Sequence, residues 1–210
     1  MTAMTSSEAP IVDVSFPMRG SSLPLDHGYA LFGALARVVP ALHEQPTWGV
    51  HPVLGERNGV DTLALTPYSR LKLRIPGDRI SELLPLAQAA LEVDGHTLTL
   101  GFPQILPLTP SAHLRARLVT IKGFHDEPGP FAEALRRQIE ALDGLDQPAA
   151  SVEIVVGPRR VLRVRDKTVV GFPVGLTGLG ATASLRVQAQ GFGGRRHMGA
   201  GIFVPPGRRG

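Results

Sequence analysis

The apolar positions of this chain change period in a fixed order, and that order restricts the possible folds more than any other feature. Residues 11–16, Ile-Val-Asp-Val-Ser-Phe, alternate at period two, the pattern of a half-buried strand. From about His27 to Val39 the spacing becomes three and four through Tyr29, Phe32, Leu35, Ala36 and Val39. That predicts a helix with these side chains inward and Asp26 as its cap. Residues 40–59 read as a loop. A hairpin of strands at 61–66 and 70–75, a helix over about 78–91 and a strand at 96–100 follow.

This order, β-α-β-β-α-β, is the ferredoxin-like unit. The second half begins in the same way. Residues 114–122 read as a strand, and 129–142 as a helix with Phe131, Leu135, Ile139 and Leu142 inward. Residues 152–156 and 161–164 read as a hairpin around Gly157-Pro158-Arg159-Arg160. Strands are expected at 168–176 and 185–190, the latter alternatively a short helix, and 200–204 closes the unit. The fold class expected is α+β: two tandem ferredoxin-like (RRM-like) modules, 11–102 and 111–205, with a C-terminal glycine-rich loop. The Pro-rich stretch 103–110 reads as the linker, and residues 1–10 as a disordered lead-in.

Charge divides the chain unevenly. Residues 1–105 hold 7 Lys and Arg against 10 Asp and Glu, whereas residues 106–210 hold 15 against 8. A basic half beside a mildly acidic one points to a face that binds a polyanion. Cysteine is absent, which rules out disulfides and thiolate metal sites and fits a cytoplasmic protein. The first residues lack the basic start and apolar core of a signal peptide. No apolar run is long enough for a membrane span. Aromatic residues are 5% of the chain, and no strand carries the aromatics on which an ordinary RRM stacks bases.

The basic residues concentrate in two places. Arg115, Arg117, Arg159, Arg160, Arg163, Arg165 and Lys167 lie on or beside expected strands, with Arg163 and Arg165 on one face. The segment Gly191-Phe-Gly-Gly-Arg-Arg-His-Met-Gly-Ala-Gly201 surrounds Arg195, Arg196 and His197 with glycines. Glycine permits positive φ and close backbone approach, successive amides can cradle a phosphate, and arginine binds phosphate bidentately. Gly193, Gly194, Arg195, Arg196, His197 and Gly199 are therefore candidate phosphodiester contacts, as are Arg159, Arg160, Arg163 and Arg165. The loop matches neither a Walker P-loop nor a Gly-x-Gly-x-x-Gly motif.

Together these segments resemble the CRISPR-associated endoribonucleases of the Cas-six family. Pro24-Leu-Asp-His-Gly-Tyr-Ala-Leu-Phe-Gly-Ala-Leu35 is similar to the family's first helix, and Pro40-Ala-Leu-His-Glu44 to the motif holding its general acid/base histidine. Leu118-Val-Thr-Ile-Lys-Gly123 is similar to the strand opening the second module. Trp48-Gly-Val-His-Pro52 and Gly193-Gly-Arg-Arg-His-Met-Gly199 look most like compact members of myxobacterial-type type I systems. Some members carry a tyrosine partway along the first helix and a lysine soon after the histidine. Here those stretches offer Ala36, and no lysine before Lys72.

The resemblance implies cleavage of precursor CRISPR RNA within its repeats, with repeat RNA as partner and type I effector subunits as further partners. RNA carries its own nucleophile. The 2′-OH can displace the 5′ oxygen without metal or cofactor, leaving a 2′,3′-cyclic phosphate and a 5′-OH. The protein must align the oxygens, move a proton and stabilise phosphate charge. Histidine suits the proton step. His43 is the first candidate by resemblance, His27 the second and His51 a reserve, while His197 is placed on RNA. His96, His113 and His125 read as surface residues. No His-Glu-x-x-His motif or carboxylate cluster marks a metal site. A non-cutting RNA-binding subunit and an enzyme acting on a phosphorylated metabolite are the competing readings.

Overall fold

The computed structural model describes residues 9–165 and 167–207; most of the lead-in expected at 1–10 lies outside them. In the first half the elements are β1 (Ile11–Arg19), β2 (Ser22–Pro24), α1 (Gly28–Val38), α2 (Ala41–Glu44), β3 (Gly49–Val50), β4 (Glu56–Asn58), β5 (Thr62–Ala64) and β6 (Arg70–Pro76). A 3₁₀ segment, Gly77–Leu86, leads to β7 (Ala90–Val93), β8 (His96–Leu100) and β9 (Gln104–Pro107). Strands β3-β6-β1-β8-β7 form an antiparallel sheet, with β9 also paired to β1. Alternation on β1 buries Val12, Val14, Phe16 and Met18. They pack with Leu71, Leu73 and Ile75 of β6 and with Leu31, Ala34 and Leu35 of α1.

The second half contains β10 (His113–Val119), α3 (Pro128–Glu140), β11 (Glu153–Val156), β12 (Arg160–Val164), β13 (Lys167–Thr177) and α4 (Ala181–Gln190). Its sheet runs β10-β13-β11, with β12 also on β13. Prolines in the first turn start α3, where a missing N–H costs nothing. Phe131, Leu135 and Ile139 then join Phe172, Val174 and Leu176 in a second core. The mixed α+β architecture is that expected, with a large core in each half and a small third cluster of Leu118, Leu162 and Ala200. No helix among the described residues is long and apolar enough to cross a membrane.

Several local expectations are corrected. Residues 61–66 and 70–75 are not a hairpin: β5 pairs with β2 and β4 in a small separate sheet, while β6 joins β1 and β3. The alternating leucines of β6 place it inside the large sheet beside β1, and β5, with Leu63 as its one buried residue, is left at the periphery. The helix expected at 78–91 is the 3₁₀ segment followed by β7. Pro85 lacks the N–H a longer α-helix needs, and Leu83 and Leu86 bury at a spacing of three. The linker at 103–110 contains β9, whose register sets Val14 opposite Ile105.

The hairpin in the second half is β12–β13, not β11–β12. β13 is long enough to pair with β12 through Lys167–Gly171 and then with β11 from Val174, and Pro173 marks the change. Residues 185–190 are helical. The closing strand at 200–204 reduces to one bridge, Arg115 with Val204, because Gly199 and Gly201 adopt φ of 84° and 69°. On α1 the buried face is Leu31, Ala34, Leu35 and Ala36, while Tyr29 and Phe32 are only half-buried. Asp26 caps no helix; its Oδ2 accepts the Arg163 backbone N–H at 2.7 Å.

Candidate active site

The glycine-rich loop sits where the two modules meet. It holds one 3₁₀ turn, Arg196–Met198, entered and left through left-handed residues Arg195 and Gly199. Arg196 is buried, 6% exposed. Its guanidinium donates to Thr47 O (3.0 Å) in the first module. It also donates to Ala189 O (2.9 Å), Gln190 O (2.6 Å) and Gly201 O (3.3 Å) in the second. Burial, with Arg74 nearby, lowers its pKa to about 10. The glycines admit this side chain: a Cβ at Gly191 would lie 1.8 Å from Arg196 Nη1. On the facing side, a Cβ at Gly28 would lie 2.5 Å from Met198 O, so α1 approaches the loop closely only because residue 28 is glycine.

Three of the glycine amides expected to contact phosphate donate within the protein. Gly193 N–H donates to Gln138 Oε1 (2.9 Å), Gly194 N–H to Thr120 O (2.9 Å) and Gly199 N–H to Arg196 O (3.2 Å). Arg196 likewise has its donors turned inward. Arg195 is exposed and lines an open groove of about 700 Å³ with Lys122, His125, Gly193 and Gly194.

His43 lies exposed on α2, a single helical turn anchored by buried Leu42. Phe32 meets it edge-on, with centroids 5.0 Å apart at 72°. The same Phe32 ring stacks on His197 at 5.2 Å and 16°. His197 Nε2 lies 2.8 Å from Gln45 O; a carbonyl can only accept, so this nitrogen carries the proton. Burial lowers the His197 pKa, and the Arg196 and His43 charges push it the same way, against the Gln45 carbonyl. The structure thus joins two sequence candidates, His43 and His197, through an aromatic residue read as core.

The β12–β13 hairpin reaches the neighbouring part of α1. Besides the Asp26 contact, Arg165 Nε donates to Tyr29 Oη (2.6 Å), and its guanidinium lies 5.9 Å from the Tyr29 ring centroid. Arg159, Arg160, Arg163 and Arg165 are all exposed, while Leu162 points inward. Arg160 and Arg117 line a cavity of about 70 Å³ together with Asp26, His27, His197 and Met198.

The other histidine candidates are held inside. His27 is 3% exposed. Its Nδ1 donates to Pro24 O (3.0 Å), and its Nε2 accepts Val53 N–H (3.0 Å). Both ring nitrogens are occupied and burial lowers its pKa, so this ring pins the 51–54 segment to the start of α1. His51 donates from Nε2 to Asp13 Oδ1 (3.1 Å), and its pKa too is lowered by burial. Asp13 also receives two bonds from Arg74, at 2.7 and 2.9 Å. Burial alone would raise the Asp13 carboxyl, but the bonds from His51 and Arg74 hold it far below the usual range. Arg74 completes the junction by donating to Gln188 O (2.8 Å) and Phe203 O (2.7 Å) of the second module. No group of three or more His, Asp or Glu side chains that could hold a metal occurs among the described residues.

Sequence reasoning missed Tyr29 and Phe32 as site residues. A signal was available: Leu31, Ala34 and Leu35 form an aliphatic stripe, leaving Tyr29 and Phe32, one turn apart, on a second face. It also missed Arg74, since an arginine alternating with strand leucines reads as a solvated face.

Comparison with known proteins identifies the family and the fold. The family model described as "Cas6 Crispr" matches residues 12–208. A protein of Myxococcus xanthus (strain DK1622) named "CRISPR-associated endonuclease Cas6" is 47% identical over 197 residues, covering 94% of this chain and 82% of that protein. A solved structure of a CRISPR-associated Cas6 protein superposes with a TM-score of 0.69 at 14% identity, over 94% of this chain and all of the other. A Cas6-related protein from Pyrococcus furiosus gives 0.65 at 11%, over 95% of this chain and all of the other. The chain belongs to the Cas6 family of CRISPR proteins, and its fold is the tandem ferredoxin-like fold expected.

Proposed function

We propose that this protein is an endoribonuclease that cuts precursor CRISPR RNA within its repeats, in the cytoplasm, by metal-independent attack of a 2′-OH on the adjacent phosphate. RNA supplies the nucleophile, so the protein needs only to align it, move a proton and stabilise charge. His43 moves the proton. Repeat RNA lies along exposed Arg159, Arg160, Arg163, Arg165 and Arg195, with Gly193 and Gly194 shaping the groove beside Arg195, and type I effector subunits take up the product.

The observation that carries this reading is the exposed His43, oriented edge-on by Phe32, which lies one turn along α1 from the Tyr29 that receives Arg165. Cleavage of repeat RNA in excess EDTA tests it. The expected products are a 2′,3′-cyclic phosphate and a 5′-OH, and a 2′-deoxy substitution at the cut site should abolish cutting but not binding. Loss of cutting in chelator, restored by a divalent ion, would overturn the metal-free step. Binding without any cutting would favour the non-catalytic RNA-binding subunit.

A further inference from the structure

We infer that Arg196 and His197 are positioning residues, strapping the segment that follows His43 to the second module so that the glycine-rich loop serves the reaction by geometry. The inference rests on the role proposed for His43. Two struts cross the junction to this segment, Arg196 to the Thr47 carbonyl and His197 to the Gln45 carbonyl. The residues they hold begin immediately after α2.

Beyond buried Leu42, α2 has little to fix it. It is four residues long, with His43 N–H bonded to Pro40 O and Gln45 N–H to Ala41 O. One turn has almost no intrinsic stability. The strap has firm ends. Arg196 is anchored at Ala189 O and Gln190 O, the last carbonyls of α4, where unsatisfied acceptors and the helix dipole both favour a cation. His197 is held between the Gln45 carbonyl and the face of Phe32, and Phe32 in turn orients His43. The exposed cations at Arg163, Arg165 and Arg195 ride on the second module, while His43 rides on the first. The strap sets the distance between the surface that takes phosphates and the group that moves the proton. Misplacement of about 1 Å is enough to slow such a reaction by roughly 10²-fold.

The test compares His197→Ala, His197→Gln and Arg196→Lys in the full chain. Three readouts are needed: single-turnover cleavage at saturating protein, binding of 2′-deoxy repeat RNA across salt, and amide hydrogen exchange over residues 41–47. We expect His197→Ala and Arg196→Lys to lower the saturated rate about tenfold or more. Affinity should stay within about twofold, with an unchanged salt slope, and exchange over 41–47 should quicken. His197→Gln, whose amide can still donate to the Gln45 carbonyl, should recover most of the rate.

A wild-type rate and unchanged exchange in His197→Ala would overturn the inference. So would a loss of affinity and salt slope at an unchanged saturated rate, which would make these residues RNA contacts. If Arg196→Lys loses its native melting transition, the two variants at half-buried His197 decide the matter. A His43→Ala variant that cuts at the wild-type rate overturns the His43 role alone, because exchange over 41–47 reports the strap without reference to cutting.

Discussion

Arg195 and Arg196 are adjacent in the chain, yet Arg195 projects into the open groove beside Lys122 while Arg196 is buried among four backbone carbonyls. Left-handed φ at Arg195, 66°, turns the backbone between them and sends the two side chains to opposite destinations. One guanidinium faces solvent and any bound anion. The other replaces the core that a glycine-rich loop cannot build for itself.

Binding should therefore depend on the two arginines differently. Arg195→Ala is expected to weaken RNA binding and reduce the log–log salt slope by about 0.7, one phosphate contact on a single strand. Arg163→Ala should do the same, since the hairpin stays docked through the Arg163 backbone N–H on Asp26. Neither should move the melting temperature much. An unchanged affinity and slope in both variants would exclude these side chains from the RNA surface.

His43→Ala is expected to lower the cleavage rate by roughly 10²-fold or more while RNA affinity changes only modestly. His113→Ala, exposed on β10, is the matched control and should be near neutral. Single-turnover rates with a gel-shift titration for each variant check this. Near-wild-type cutting by His43→Ala would remove its proposed role.

The Asp13–Arg74 pair should matter for folding. Arg74→Met leaves the Asp13 carboxylate without its main partner and removes two bonds to the second module. A loss of about 3 kcal/mol is expected. Adding Asp13→Asn should recover part of it, because the neutral amide no longer needs the guanidinium. Urea unfolding of the single and double variants measures the coupling, and strictly additive losses would refute it.

Mild acid should destabilise the fold before the Asp13 carboxylate titrates. His27, His51 and His197 all have folded pKa values below the ordinary 6.5. The unfolded chain binds protons first, so stability is complete above about pH 6.5 and falls as pH drops toward the folded values. Each histidine contributes at most about 1.4 kcal/mol per pH unit in that window. Asp13 acts lower: its folded pKa is depressed, so its contribution holds above about pH 4 and is lost only further down. Urea midpoints from pH 7.5 to 5 should fall, and a flat profile would contradict neutral buried imidazoles.

The sequence alone determined the tandem modules, the core face of α3, part of that of α1 and the basic second half, while His43 was singled out only by family resemblance. The former are properties of local period and composition, and burial of an apolar stripe follows directly from its spacing. Strand partners were not legible, because pairing is a competition: β6 took the place beside central β1, and β13 was long enough to hold β12 and β11 in succession. The fate of individual charges was decided only by tertiary structure. Arg159 and Arg196 look alike in the chain, and nothing local says that carbonyls from α4 and Thr47 will converge on one of them. A buried cation is stable only where separate segments bring their acceptors together, and that convergence exists only once the two modules have closed on each other.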